Sequence, residues 1–112
     1  MSRLVGLRRA MSIILTNPVI SAPEALSMGI VTKVVPDAEL AEASLAMARE
    51  LAAGAPKALA ATKRLVWAGT ALSIEQCLSE EARTVSELSG MADAREGLAA
   101  VIERRKPIFT GR

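Results

Sequence analysis

Between Arg3 and Thr16, Leu4, Leu7, Met11, Ile14 and Leu15 recur three and four residues apart, the spacing of one stripe along an α-helix, and Asn17-Pro18 stops it. Val5 and Ile13 lie off that stripe. A helix apolar on more than one side expects neighbours on more than one side. Ser21-Ala22-Pro23-Glu24 has the form of a capping box with proline in the first turn, so a short helix is expected, ending at Gly29. Ile30 to Val35 then reads as one short β-strand closed by Pro36. One strand makes no sheet, so its partner is expected outside the chain.

Asp37 is expected to cap a longer helix that turns Leu40, Ala43, Met47 and Leu51 inward and breaks at Gly54-Ala55-Pro56. A further helix runs from about Lys57 to Trp67 and ends at Gly69. Ser73 with Gln76 forms a second capping box, opening a helix from Ile74 to about Ser89. Its stripe is Ile74, Cys77, Leu78, Val85 and Leu88. Asp93 with Glu96 starts the last helix, which runs to about Arg105 before Pro107. The pattern is mostly α, with one short strand near 30–35 and no repeat or linker that divides residues 1–112.

Composition narrows the chemistry. Apolar residues make up 51% of the chain, enough for a core, but only Trp67 and Phe109 are aromatic. Such a chain packs helices closely and offers little for stacking bases. There is no histidine, which removes the usual general base and any Ser-His or Cys-His pair. Cys77 is alone, so no intramolecular disulfide or thiolate metal cluster forms, in keeping with a reducing cytoplasm. The net charge is +2, with basic residues dispersed from Arg3 to Arg112, so nucleic-acid binding is not expected. No run is long enough to cross a membrane.

Among the carboxylates, Glu24, Asp37, Glu39, Glu75, Asp93 and Glu96 fall near helix starts, where they favour the helix dipole. Glu81 differs, because helical geometry projects it into the stripe of Ile74, Cys77, Leu78 and Val85. It reads either as a perturbed acid or as a structural carboxylate held at a helix interface, the latter favoured because no second acid or base is found beside it. Cys77 reads as a small core residue rather than a nucleophile. Arg104-Arg105-Lys106 suits either a bound phosphate or a solvated helix C-terminus. No catalytic and no metal-ligating set emerges.

The order of segments resembles a known family. Arg3-Leu4-Val5-Gly6, Leu15-Thr16, Ile20-Ser21-Ala22-Pro23-Glu24-Ala25, Met28-Gly29-Ile30-Val31 and Val34-Val35-Pro36 resemble the enoyl-CoA hydratase/isomerase (crotonase) superfamily. So do Ala58-Leu59-Ala60-Ala61-Thr62-Lys63 and the closing Asp93, Glu96-Gly97, Ala100, Glu103-Arg104-Arg105, Pro107, Phe109 and Gly111. The resemblance implies the C-terminal region of a crotonase-type α/β spiral fold. Residues 1–36 then end a core-like segment, and 37–112 form a helical, trimerising segment.

It also implies that the family's two catalytic glutamates and its oxyanion hole lie upstream, outside this chain. The family substrate is a CoA thioester and the parent chemistry is hydration of a 2-enoyl-CoA or a related enolate step. The chain by itself is then expected to be inactive and to need no cofactor. Its implied partners are further copies of itself or a full-length crotonase-type chain, in trimers or hexamers, with acyl-CoA bound only if the core is supplied. The basic residue that meets the adenine-nucleotide end of CoA on a neighbouring subunit corresponds to Arg104, and the aromatic usual before it is Val101 here. Two origins fit: a truncated or frameshifted reading frame starting at Met1, or a short protein that uses these helices for association.

Overall fold

The first stripe folds as two helices. α1 (Ser2–Val5) and α2 (Leu7–Thr16) part at Gly6, whose φ of 79° is closed to most L side chains. The computed structural model describes residues 1–112 and continues with α3 (Ala22–Ser27), a 3₁₀ turn (Asp37–Glu39), α4 (Leu40–Ala52), α5 (Pro56–Ala68), α6 (Ile74–Ser89) and α7 (Ala92–Glu103). These residues form two compact units, Met1–Ser44 and Leu45–Arg112, and α4 runs across the boundary.

In the first unit both halves of the Ser21–Glu24 capping box are made. The Ser21 N–H donates to Glu24 Oε2 at 2.8 Å and the Glu24 N–H to Ser21 Oγ at 3.4 Å. The Ser21 side-chain hydrogen bond, with help from the Ser21 N–H, holds the Glu24 carboxyl below its usual pKa. Two expectations are corrected here. Residues 30–35 form no strand: the Ile30 N–H turns back to Ala25 O at 2.9 Å, closing α3 through Gly29 at φ 71°. With no second extended segment to complete a ladder, the β-propensity of Ile30 and Val31 has nothing to act on. Asp37 is not a side-chain cap either, because Pro36 occupies that position and Asp37 lies within the 3₁₀ turn.

In the second unit, α5 and α6 are fastened by polar contacts. Arg64 Nη2 donates to the buried Thr84 Oγ1 at 2.7 Å, and Thr84 donates onward to Glu80 O at 2.7 Å. Arg64 Nη1 also meets Glu80 Oε2 at 3.1 Å, and Arg83 reaches the same carboxylate at 2.9 Å. These guanidinium hydrogen bonds, that of Arg83 foremost, lower the Glu80 pKa. The Ser73–Gln76 capping box is formed, whereas α7 begins after Met91 rather than with Asp93 as its cap.

The helices are amphipathic as the spacing requires, yet most of their apolar stripes face outward. Only Ala10 and Ala100 are fully buried among apolar residues, while Leu4, Leu7, Ile14, Ile74, Leu78 and Val85 are exposed.

Candidate functional site

The residues singled out for binding lie on α7 and the tail beyond it. α7 ends in a turn that glycine usually makes: Arg104 sits at φ 53°, ψ 40°, and the Arg105 N–H reaches back to Ala100 O at 3.0 Å. What holds Arg104 there is Arg105. Its guanidinium forks onto Glu96, with Nη2 to Oε2 at 2.9 Å, and pairs with Glu103 as well. The Ile108 N–H adds a third bond to Glu96, at 2.8 Å to Oε1. Those contacts, Arg105 first and Ile108 second, pull the Glu96 carboxyl down to about 2.

Further along, the tail folds onto the start of α7. Thr110 and Gly111 donate their N–H groups to Asp93 Oδ1 and Oδ2, each at 2.8 Å, and the Asp93 N–H donates to Arg112 O at 3.0 Å. The Phe109 ring thereby lies against Gly97, where an added Cβ would stand 3.7 Å from it. A cleft of about 380 Å³ is left beside this ring, lined by Ala58, Leu88, Leu98, Val101 and Phe109 with Lys57 among its walls.

The three-residue basic run is thus divided. Arg105 is committed to the Glu96 clamp, while Arg104 and Lys106 remain exposed. Val101 lies one turn before Arg104 and is also exposed, so the two share the last turn of α7. That end of the helix carries the negative pole of the dipole, so any anion there must be held by side-chain charge. Glu81 is exposed and makes no ion pair, and Cys77 is a half-buried free thiol. No group of three or more His, Cys, Asp or Glu is placed to hold a metal ion.

Sequence reading placed Asp93 and Glu96 at a helix start but missed that both are acceptors for the tail. Their partners lie nine to eighteen residues away across a helix end, where no periodicity connects them. For Glu96 the consequence is a pH dependence. Its folded value of about 2 lies below its usual 4.5, so its stabilisation is full above pH 4.5 and is lost as pH falls toward 2. Thermal unfolding across that window should show the midpoint falling with acid. Glu96→Gln should start lower and fall less steeply.

The family model described as enoyl-CoA hydratase/isomerase matches residues 1–112, the whole chain. The chain belongs to the enoyl-CoA hydratase/isomerase family. It is 42% identical over 110 residues to a probable enoyl-CoA hydratase of Rhodobacter capsulatus, covering 98% of this chain and 43% of that protein. It is 34% identical over 106 residues to the short-chain-enoyl-CoA hydratase of Clostridium acetobutylicum, covering 95% and 41%. Among solved structures, an enoyl-CoA hydratase of Geobacillus kaustophilus superposes with a TM-score of 0.92 at 33% identity, over 99% of this chain and 42% of that one. The Bacillus anthracis enoyl-CoA hydratase gives 0.93 at 32%, over 99% and 43%.

The chain therefore spans about two-fifths of the length of the family members it matches. One expectation is corrected. The family model accounts for the chain from its first residue to its last, so these helices lie within the crotonase domain that the model describes, and their assignment to a C-terminal region alone does not stand. The tail motifs that suggested it, Asp93, Glu96 and Arg105, are equally the groups that close α7 on itself. No helix of the chain is long and apolar enough to cross a membrane.

Proposed function

We propose that these residues are the helical part of a crotonase-type acyl-CoA enzyme and do not carry the chemistry by themselves. The parent reaction on this reading is hydration of a 2-enoyl-CoA or a related enolate step on a CoA thioester. One observation carries the reading: the whole chain matches the family, yet it covers only 43% of a full-length hydratase. The chain's own chemistry agrees. Family catalysis needs acids poised for proton transfer and N–H groups aimed at a developing oxyanion. Six of the twelve carboxylates are already engaged, Glu24 on a cap, Glu80, Glu87, Glu96 and Glu103 on arginines, and Asp93 on the tail.

On the same reading Arg104 and Val101 offer one edge of a CoA site, with the Arg104 guanidinium meeting a phosphate of the adenine-nucleotide end on a neighbouring subunit. Lys106 stands nearby to share that charge. The free Cys77 thiol suits a reducing cytoplasm. The decisive assay is hydration of crotonyl-CoA by the purified 112-residue chain, followed by loss of enoyl absorbance. The expected result is no turnover above the uncatalysed rate, and steady turnover would overturn the reading.

A second reading is favoured by the outward-facing stripes: a non-catalytic helical module that associates with itself or with a full-length crotonase-type chain.

A further inference from the structure

α7 has no side-chain cap at its start, yet one N–H of its first turn is satisfied by the tail: the Asp93 N–H donates to Arg112 O at 3.0 Å. The contact is reciprocal, since the Asp93 carboxylate accepts the Thr110 and Gly111 N–H groups at 2.8 Å each. The tail therefore caps the helix that it follows. Between its two ends it runs back along one face of α7. The Arg105 N–H meets Ala100 O, the Ile108 N–H meets Glu96, the Phe109 ring lies against Gly97, and Thr110 and Gly111 end on Asp93. Asp93, Glu96, Gly97 and Ala100 follow one another by three, one and three residues, which puts all four on one side of the helix.

Chain length couples the two carboxylate anchors. Only Phe109 separates the residue held by Glu96 from the first residue held by Asp93. With Ile108 in place, almost no loop has to be closed to seat Thr110 and Gly111. With Ile108 free, the bonds to Asp93 must order the segment back to the Arg105 turn by themselves. Each anchor thus raises the effective concentration of the other. Gly111 carries the same unit across to α5. At φ 78° it lies so close to Pro56 that an added Cβ would stand 3.1 Å from Pro56 Cγ. The tail therefore bridges the start of α5 to the start of α7, where Ala55 and Ala58 line the cleft together with Gly97, Leu98 and Phe109.

We propose that residues 105–112 form a latch that engages and releases as one unit, and that its release uncaps α7, parts the tail from Pro56 and takes the Phe109 wall from the cleft. The rival is fraying residue by residue from Arg112 inward. Burial argues against it. Asp93 is 8% exposed, so a tail that withdrew its last donors while Phe109 stayed on Gly97 would leave a buried carboxylate short of partners. Full release lets water reach the same oxygens. The latch uses only residues of α5, α7 and the tail, and it is independent of the acyl-CoA reading above.

Native-state hydrogen exchange on the full chain, resolved amide by amide, tests it. In wild type the amides of Asp93, Ile108, Thr110 and Gly111 should share one protection factor, lower than that of amides in the middle of α6. Glu96→Gln weakens only the anchor made by Arg105 and Ile108. It should nonetheless lower protection at Asp93, Thr110 and Gly111 about fivefold, as much as at Ile108. Gly111→Ala strains the opposite end, and by reciprocity it should lower protection at Ile108 as much as at Thr110. Loss confined in each variant to the anchor that was altered would overturn the latch, because the two anchors would then open independently. Equal loss in the middle of α6 would overturn it too, because the tail would then open only with the whole fold.

Discussion

Asp93→Ala should destabilise the chain by about 3 kcal/mol in urea unfolding, the largest effect expected of any single substitution here. The Asp93 carboxylate is only 8% exposed and receives the N–H groups of Thr110 and Gly111 at 2.8 Å each. Alanine leaves both donors without an acceptor. The tail then either keeps its place with two unsatisfied N–H groups or detaches and exposes them to water. Detachment is the cheaper outcome, but it also removes the Phe109 ring from Gly97 and strips apolar cover from α7. Hydrogen exchange separates the two, because only detachment abolishes protection at Thr110 and Gly111. Asp93→Asn keeps one acceptor oxygen and sets an amide N–H₂ against the second donor, so it should fall between alanine and wild type. A loss under about 0.5 kcal/mol for the alanine variant would mean that the tail is held by something other than this carboxylate.

Why that anchor was invisible in the sequence is a matter of range. Part of what is settled within one turn of helix was legible: the capping boxes at Ser21 and Ser73 are formed as their spacing requires, and the breaks at Asn17 and Gly69 fall where expected, whereas Asp37 and Asp93 do not cap the helices they precede. Gly6 was missed because one glycine inside an apolar periodicity reads as tolerated, and its φ of 79° is a backbone fact that spacing does not encode. The strand at 30–35 failed for a different reason. Ile30 and Val31 have the side chains of a strand, but pairing is a property of two segments and this chain supplies one.

The candidate site divides in the same way. Arg104 and Val101 were named by resemblance, and they lie at the C-terminal end of α7, Val101 in its last turn and Arg104 at the residue that closes it. The clamp that shapes that turn, Arg105 with Glu96 and Ile108, spans a helix end and carries no sequence period. Glu81 is instructive in another sense. Its position on the apolar stripe was read correctly from helical geometry, and the expectation of burial failed because nothing in the chain covers the stripe.

Arg104→Gly should raise stability by about 0.5–1 kcal/mol while weakening the binding of CoA. Arg104 occupies the left-handed position that closes α7, at φ 53°, ψ 40°, where an L side chain costs roughly 1–2 kcal/mol relative to glycine. Glycine regains that cost but gives back about 0.4–1 kcal/mol through the greater freedom of the unfolded chain. The balance favours the folded state. Arginine is thus a poor choice for the turn, and a residue kept in strained backbone at a solvent-facing position points to a task for its side chain. On the reading proposed above, that task is a phosphate of the CoA nucleotide. The contact is exposed and screened, so its loss should weaken affinity only about three- to fivefold. Titrating wild type and variant with 3′,5′-ADP, each mixed with a full-length crotonase-type chain, beside a urea melt of each alone reads both effects. Arg104→Ala is the control, since it removes the guanidinium but keeps the strained backbone. It should lose the same affinity without the gain in stability. If Arg104→Gly gained stability and bound 3′,5′-ADP as wild type does, the strain would remain real and the phosphate contact would be assigned to the wrong residue, with Lys106 next to be tested.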